Sequence, residues 1–330
     1  MTMIDGEVTS KMWPLSVPFV ISRSRRTEVE LVCLRLHQSG FSGCGECSPN
    51  ERYQETTASE VAKIKAVLAR QSPDQPLEEL VQNMRPGAAK NAIDCALWDL
   101  TAKQQGQRVW QLMGLDEPKP FTSVYTISLG HPDMMAAAAL SAINRGCHHL
   151  KLKGGGEGDK ARVRAVRAIA PDAKIIIDAN ESWQAKHLSE YLKVMAGEGV
   201  ALVEQPLPAK QDNALSAVKH LVPICADESC LTVEDIPRVA KLYDFINIKL
   251  DKAGGLTAAI ELQNAAFAHD LGIMVGCMLG TSLAMAPATL LANKAKFIDL
   301  DGPFLLKEDY TPALMIEGST LYAPKAELWG

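Results

Sequence analysis

The sequence lacks what would carry it into or across a membrane. No stretch approaches the roughly 18 consecutive apolar residues of a spanning helix, and the opening MTMIDGEVTSKMW holds no apolar segment of the secretory kind. A cytoplasmic protein is the expectation. An excess of charge of one sign is missing too: 34 Lys and Arg stand against 39 Asp and Glu, a net charge of −5 over 330 residues. Such a balance creates no field for nucleic acid or an anionic membrane, so neither is expected as a partner. Cysteine is sparse for this length, eight in all, which falls short of a disulfide scaffold and fits a reducing compartment with mostly core thiols. Cys44 and Cys47 form one C-x-x-C, but no second pair and no histidine cluster completes a zinc site. The glycine run KGGGEGDK (153–160) lacks the Gly-Lys-Ser/Thr ending of a phosphate loop and reads as a flexible turn between strand and helix.

What is present is a 47% hydrophobic composition, enough for one barrel-sized core with a smaller attachment. From residue 123 onward, short β-branched runs ending in a polar residue alternate with Ala-rich helical stretches, the pattern of parallel strands with crossover helices. The runs are SVYTISL (123–129), HHLKLKG (148–154), AKIIIDAN (173–180), ALVEQPL (201–207), PICADES (223–229), FINIKLD (245–251), GIMVGCM (272–278) and FIDLDG (297–302). These eight recur every roughly 22 to 28 residues, about one βα unit each. The fold class expected is α/β, a (β/α) TIM-type barrel over residues 121–303, since an open doubly wound sheet rarely carries so even a series without a dinucleotide turn.

Residues 1–120 read instead as an N-terminal α+β capping domain, with strand-like Trp13 to Ile21, then VELVCLRL (29–36), then helices. The stretch AAKNAIDCALWDLTAK (88–103) puts Ala89, Ala92, Ile93, Ala96, Leu97 and Leu100 on one face and is expected to be a packing helix. The segment 304–330, with STLYA (319–323), is expected to return to the first domain and complete it.

In a barrel of this kind, chemistry sits where the strands end. Asp178, Glu204 and Asp227 end three successive runs, and three acids converging on one point need a cation to offset their repulsion. Oxygen donors with no His or Cys nearby favour Mg²⁺, with Mn²⁺ as a substitute. The alternative is three separately solvated loop acids. Lys151 and Lys153, one residue apart on the second run, share a face, and Lys249 lies on the sixth run, diametrically across an eight-stranded ring. Two amines facing opposite sides of one carbon can remove a proton next to a carboxylate and return it to the other face, with the developing charge stabilised by the cation. The base must be neutral near pH 7, and bringing a lysine there from 10.4 costs about 4 kcal/mol; Lys153 beside the ammonium of Lys151 fits that need. A structural ion-pair network of the same acids and lysines is the competing interpretation.

Asp299 and Asp301, on the eighth run, stand opposite the fourth across the ring, too far to share the metal easily, and suit a cationic group such as an amino terminus at the far end of a ligand. The other use of Asp301 is to cap the turn at Gly302 and Pro303. In the capping domain, SRSRRTE (22–28) is a basic loop from which one arginine can clamp a second carboxylate, and Tyr53 in NERYQE is placed on the same lid.

Taken in order and spacing, LKLKG, DANESW, VEQPL, ADES and NIKLDKAGG resemble the enolase superfamily in its muconate-lactonizing-enzyme-like subgroup. The likeness runs through nearly the whole chain, including AIDCALWDL and GECSP (45–49); K-x-K with a lysine on the sixth run separates this subgroup from members with a His base. DLDGP (299–303), CMLGTS (277–282) and the arginine-bearing segment after WPLSVPFVIS resemble dipeptide epimerases within it. That resemblance implies Asp178, Glu204 and Asp227 as Mg²⁺ ligands, Lys153 and Lys249 as the acid/base pair, and Lys151 assisting the substrate carboxylate. It also implies Asp299 and Asp301 on the α-amino group, Arg26 on a glutamate side chain and Thr126 on the substrate backbone. The implied substrate is the murein dipeptide pair L-Ala-D-Glu and L-Ala-L-Glu, and a homo-oligomer is compatible with the sequence. Competing with this are o-succinylbenzoate synthase or N-acylamino acid racemase chemistry on the same lysines, and a barrel that binds acidic dipeptides without reacting them.

Overall fold

The computed structural model describes residues 3–330. Strands β1 (Asp5–Ile21) and β2 (Ser24–Gln38) form a long antiparallel hairpin, and β3 (Phe41–Cys47) pairs antiparallel with β2. Helices α1 (Thr57–Arg70), α2 (Leu77–Gln82) and α3 (Ala88–Gln105) close one face of this sheet over a core that includes Leu34, Leu36, Ile64, Leu80 and Ile93. Helix α3 is the expected packing helix, and it lies so close to β3 that a Cβ on Gly45 would stand 2.1 Å from the Ala92 carbonyl oxygen. Cys44 and Cys47 are buried within this packing, which pushes both thiols upward.

The hairpin corrects one expectation. SRSRRTE is not a loop: only Ser22 and Arg23 turn, while Arg25 and Arg26 already lie on β2 opposite Val20 and Phe19. Both strands also extend beyond the apolar stretches that suggested them, because one hairpin face is solvated and its polar residues dilute the apolar signal while the ladder hydrogen bonds continue.

Each of the eight runs marks one barrel strand, β8 starting one residue ahead of its run: after the short β4 (Phe121–Thr122) come β5 (Tyr125–Ile127), β6 (His149–Lys153), β7 (Lys174–Asp178), β8 (Val200–Glu204), β9 (Ile224–Ala226), β10 (Phe245–Ile248), β11 (Gly272–Gly276) and β12 (Phe297–Asp299). Neighbours pair in parallel in that order, and the Val124 N–H donates to the Ile298 carbonyl at 2.9 Å across the remaining gap. Val124, Ile176, Leu202, Cys225, Phe245, Met274 and Phe297 form a buried cluster of their own inside the ring. Alternation along a strand returns the same face two residues later, and two residues later these positions read Thr126, Asp178, Glu204, Asp227, Asn247, Gly276 and Asp299. An apolar layer therefore underlies a polar one at the strand ends.

The last segment touches both parts: β13 (Ile316–Glu317) and β14 (Thr320–Leu321) extend a small sheet from β4, Lys307 N–H donates to the Pro14 carbonyl, and Trp329 Nε1 donates to the Cys95 carbonyl at 3.0 Å. No helix among the described residues is long and apolar enough to cross a membrane.

Two buried acids join the cap to the barrel. Glu46 Oε1 accepts from Thr281 N (3.0 Å) and Oγ1 (2.8 Å), and Asp251 Oδ1 accepts from Ser48 N (3.2 Å) and Asn91 Nδ2 (2.8 Å). Burial lifts the Glu46 carboxyl to about 8 from its ordinary 4.5. The fold thus binds this proton more tightly than the unfolded chain does, so its contribution is lost as pH rises from the ordinary value toward 8. Glu46→Gln keeps an acceptor for Thr281 and is expected to flatten that slope. Urea midpoints taken at about pH 5 and about pH 8 check it; an unchanged difference between them would count against the assignment.

Candidate active site

At the C-terminal end of the barrel, each of three acids has one oxygen tied to the scaffold and the other turned to a lysine. Asp178 Oδ1 accepts from Asn180 N (3.0 Å), and its Oδ2 from Lys153 Nζ (2.6 Å). Glu204 Oε1 accepts from Asn247 Nδ2 (2.7 Å), and its Oε2 lies 2.8 Å from Lys151 Nζ. Asp227 Oδ1 accepts from Lys252 Nζ (2.7 Å), and its Oδ2 from Lys249 Nζ (2.6 Å). Lys151 also reaches Asp178 Oδ2 (3.3 Å) and Asp299 Oδ2 (2.6 Å). One ammonium on the narrow barrel axis therefore spans acids of β7, β8 and β12, and the expectation that Asp299 stands well apart from the first two is corrected.

The charges set one another. Burial pushes the Lys151 and Lys249 amines down, but their carboxylates outweigh it and hold both well above the usual lysine range, Asp299 and Glu204 for the first and Asp227 and Glu204 for the second. Burial raises the acids; the lysines reverse this at Asp178 and Asp227, which end below the ordinary range, while Glu204, beside the charge of Asp178, stays raised at about 7. Asp301, buried next to Asp299, is also raised to about 7, and its Oδ2 accepts from Thr126 N at 2.7 Å.

Above this floor lies a cleft of about 310 Å³. Lys153, Asp227 and Lys249 face it from the barrel, and Phe19, Arg26 and Tyr53 from the cap. Thr126, Asp299, Asp301 and Lys151 are not on its wall; Thr126 borders a separate surface groove beside Arg25. The Arg26 side chain has no hydrogen bond or ion pair among the described residues, whereas Arg23 donates to Glu228 Oε1 (2.7 Å) and the Asn180 carbonyl (3.0 Å), and Arg52 makes two bonds to Glu181 (3.0 and 2.8 Å). Arg23 and Arg52 thus fasten the cap to the loops after β7 and β9 and leave Arg26 free to meet a ligand.

Sequence reasoning missed four of these participants. Asn247 was legible, because it shares the inward face of Lys249 two residues on. Lys252 lies past the strand, where alternation no longer predicts direction, and the Arg23 and Arg52 contacts depend on how cap and barrel meet.

Among the described residues, no three His, Cys, Asp or Glu side chains stand as a ready-made metal cage; each acid is folded against an amine. The donor set nonetheless suits a hard cation: the oxygens of Asp178, Glu204 and Asp227 that face the lysines lie at the ends of adjacent strands, and Glu204 Oε2 is met by the Lys151 charge at 2.8 Å without an aligned hydrogen bond.

A (β/α) barrel whose strand ends carry clustered acids and opposed lysines, roofed by an antiparallel cap, defines a barrel enzyme of the proton-transferring kind. The chain belongs to the mandelate racemase / muconate lactonizing enzyme family: the N-terminal domain of that family matches residues 3–114, and the enolase C-terminal domain-like family matches residues 134–327. It is 42% identical to the L-Ala-D/L-Glu epimerase of Escherichia coli (strain K12) over 96% of this chain and 98% of that one. It is 39% identical to an N-acetyl-D-glutamate racemase of Pseudoalteromonas sp. over 88% and 92% of the two chains. Among solved structures, an enolase family member from Agrobacterium tumefaciens with homology to dipeptide epimerases, bound to sodium and L-Ala-L-Glu with an ordered loop, superposes with a TM-score of 0.93 at 47% identity, covering 99% of this chain and 100% of that one.

Arg23→Ala removes three contacts between the hairpin tip and the barrel. Amide exchange at residues 22–26 is expected to quicken while that of β6 to β8 is unchanged, as read by mass spectrometry; equal rates in variant and wild type would show that Arg23 does not fasten the tip.

Proposed function

We propose that this chain is a magnesium-dependent dipeptide epimerase that inverts the α-carbon of a C-terminal glutamyl residue, interconverting L-Ala-D-Glu and L-Ala-L-Glu in cytoplasmic murein peptide metabolism. Residues 121–303 form the catalytic barrel, and residues 1–120 with 304–330 form its cap. The observation that carries this reading is the pair Lys153 and Lys249: four strands apart in a ring of eight, they face one cleft from opposite sides. Binding alone has no use for a base on each face of a carbon.

Lys153 and Lys249 take the α-proton from one face and return one to the other, the direction of turnover deciding which acts first. Asp178, Glu204 and Asp227 hold Mg²⁺, for which Mn²⁺ substitutes. When bound, the ion supplies Lewis-acid stabilisation of the charge that grows on the substrate carboxylate. Lys151 adds a fixed positive charge beside the same carboxylate. Arg26, whose side chain has no partner among the described residues, takes the glutamate side chain, and Tyr53 closes that end of the cleft. Asp299, whose Oδ1 is buried without a hydrogen bond, takes the α-amino group together with Asp301, and Thr126 contacts the substrate backbone.

The likeness to an N-acetyl-D-glutamate racemase favours a second reading, racemisation of an N-acylated glutamate or related N-acylamino acid chemistry. It uses the same lysines and Arg26 but has no amine for Asp299 to meet. Incubating L-Ala-L-Glu in D₂O is expected to place deuterium at the glutamate α-carbon by NMR while N-acetylglutamate stays unlabelled; the opposite pattern would overturn the dipeptide assignment. Lys153→Ala and Lys249→Ala are each expected to lower kcat by at least about 10²-fold with metal binding retained, and normal turnover in either would end the two-base mechanism. Arg26→Ala should raise KM for L-Ala-L-Glu far more than for L-Ala-L-Ala, and an equal change for both would remove Arg26 from the side-chain site.

A further inference from the structure

Strand β10 and the turn after it carry more than an acid/base lysine. Asn247 points inward two residues before Lys249, and its amide donates to Glu204 Oε1 at 2.7 Å across the two intervening strand gaps. Lys252 follows three residues after Lys249 and is almost wholly buried. Its Nζ meets four acceptors: Asp227 O (2.6 Å), Asp227 Oδ1 (2.7 Å), Cys230 O (3.0 Å) and Asn247 O (3.0 Å). Three of them lie on the segment after β9, and the fourth is the carbonyl of Asn247 itself. The side chain therefore ties the end of β9 to the end of β10 and cannot reach out to a ligand.

The two residues act alike on two different acids. Each occupies one oxygen of its carboxylate and leaves the other turned to a lysine: Glu204 Oε2 to Lys151 beneath the cleft, and Asp227 Oδ2 to Lys249 on its wall. The third acid is arranged the same way, with the backbone N–H of Asn180 on Asp178 Oδ1. Because both residues come from one strand end, the spacing between Glu204 and Asp227 is fixed from a single origin. Room for the Asn247 amide is provided by Gly276 on β11, where a Cβ would lie 2.4 Å from Asn247 Oδ1 and 2.7 Å from Nδ2.

We infer that Asn247 and Lys252 are positioning residues of the cation site: Asn247 holds one oxygen of Glu204, two strands away, and Lys252 one oxygen of Asp227 at the end of the adjacent strand, so that each acid presents its other oxygen. The inference rests on the reading that Asp178, Glu204 and Asp227 bind a divalent cation. Partners of metal ligands set ligand direction, and their loss typically costs about 10- to 100-fold in metal affinity.

The test is Mn²⁺ titration of the substrate-free protein, followed by electron paramagnetic resonance, on wild type, Asn247→Leu, Lys252→Met and Gly276→Ala. The first two remove a donor; the third leaves every donor in place and displaces the Asn247 amide sterically. Each is expected to weaken Mn²⁺ binding by about 10- to 100-fold, with kcat recovering at saturating metal. Lys249→Met, which strips an amine from the presented oxygen and keeps both positioning donors, is expected to bind at least as tightly as wild type. Thermal unfolding in EDTA separates lost affinity from a damaged fold, and if Lys252→Met does not fold, Asn247→Leu and Gly276→Ala carry the test. Folded variants that bind Mn²⁺ like wild type would overturn the inference and leave the metal reading standing. Wild type that takes up no Mn²⁺ would overturn both.

Discussion

The structure is organised by the need to cancel charge where water is scarce. Lys151, Lys153, Lys249 and Lys252 are all buried at the strand ends, among Asp178, Glu204, Asp227, Asp299 and Asp301. Removing one such ion from water costs several kcal/mol even after relaxation, so each is held against opposite charge. Asp178 and Asp227 ionise more easily than in water because lysines face them, while Glu204 and Asp301, with less compensation, hold their protons to near neutrality. A cluster balanced in this way responds strongly to any added cation or anion, which is what binding a metal and a carboxylate substrate would supply.

The barrel makes that balance buildable. An apolar ring of Val124, Ile176, Leu202, Met274 and their neighbours fixes the strands, and the strict two-residue alternation then delivers polar side chains to one level without separate folding decisions for each. Small local choices complete the level. Gly276 leaves space for an amide, and the Asn180 backbone turns back with a positive φ to cap Asp178. The cap contributes from the other side with Phe19, Arg26 and Tyr53.

Much of this was readable in the sequence because periodicity and residue type carry the information. The eight apolar runs found every barrel strand, and the acids and lysines at their ends were found because alternation assigns a face. What escaped was set by long-range packing. Nothing local in SRSRRTE separates Arg23, spent on Glu228 and Asn180, from Arg26, left open; the hairpin register and the meeting of cap with barrel decide it. Lys252 was hidden by leaving the strand, where the face rule ends. The distance placed between Asp299 and the other acids ignored the reach of a lysine, since Lys151 crosses the axis to touch three of them. The lowered amine pKa was sought at Lys153; at Lys151 and Lys249 the surrounding carboxylates hold the amines well above the usual lysine range.

The apolar layer has one more effect. Phe245, Phe297, Met274 and Leu202 fill the ring beneath the charged level, so the vessel is stoppered at its base and the cleft opens at the opposite end. Arg23 and Arg52 stand on that cleft's wall, where they grip the barrel loops. A ligand seated in the cleft lies beside both grips, so loosening them would alter arrival and departure together.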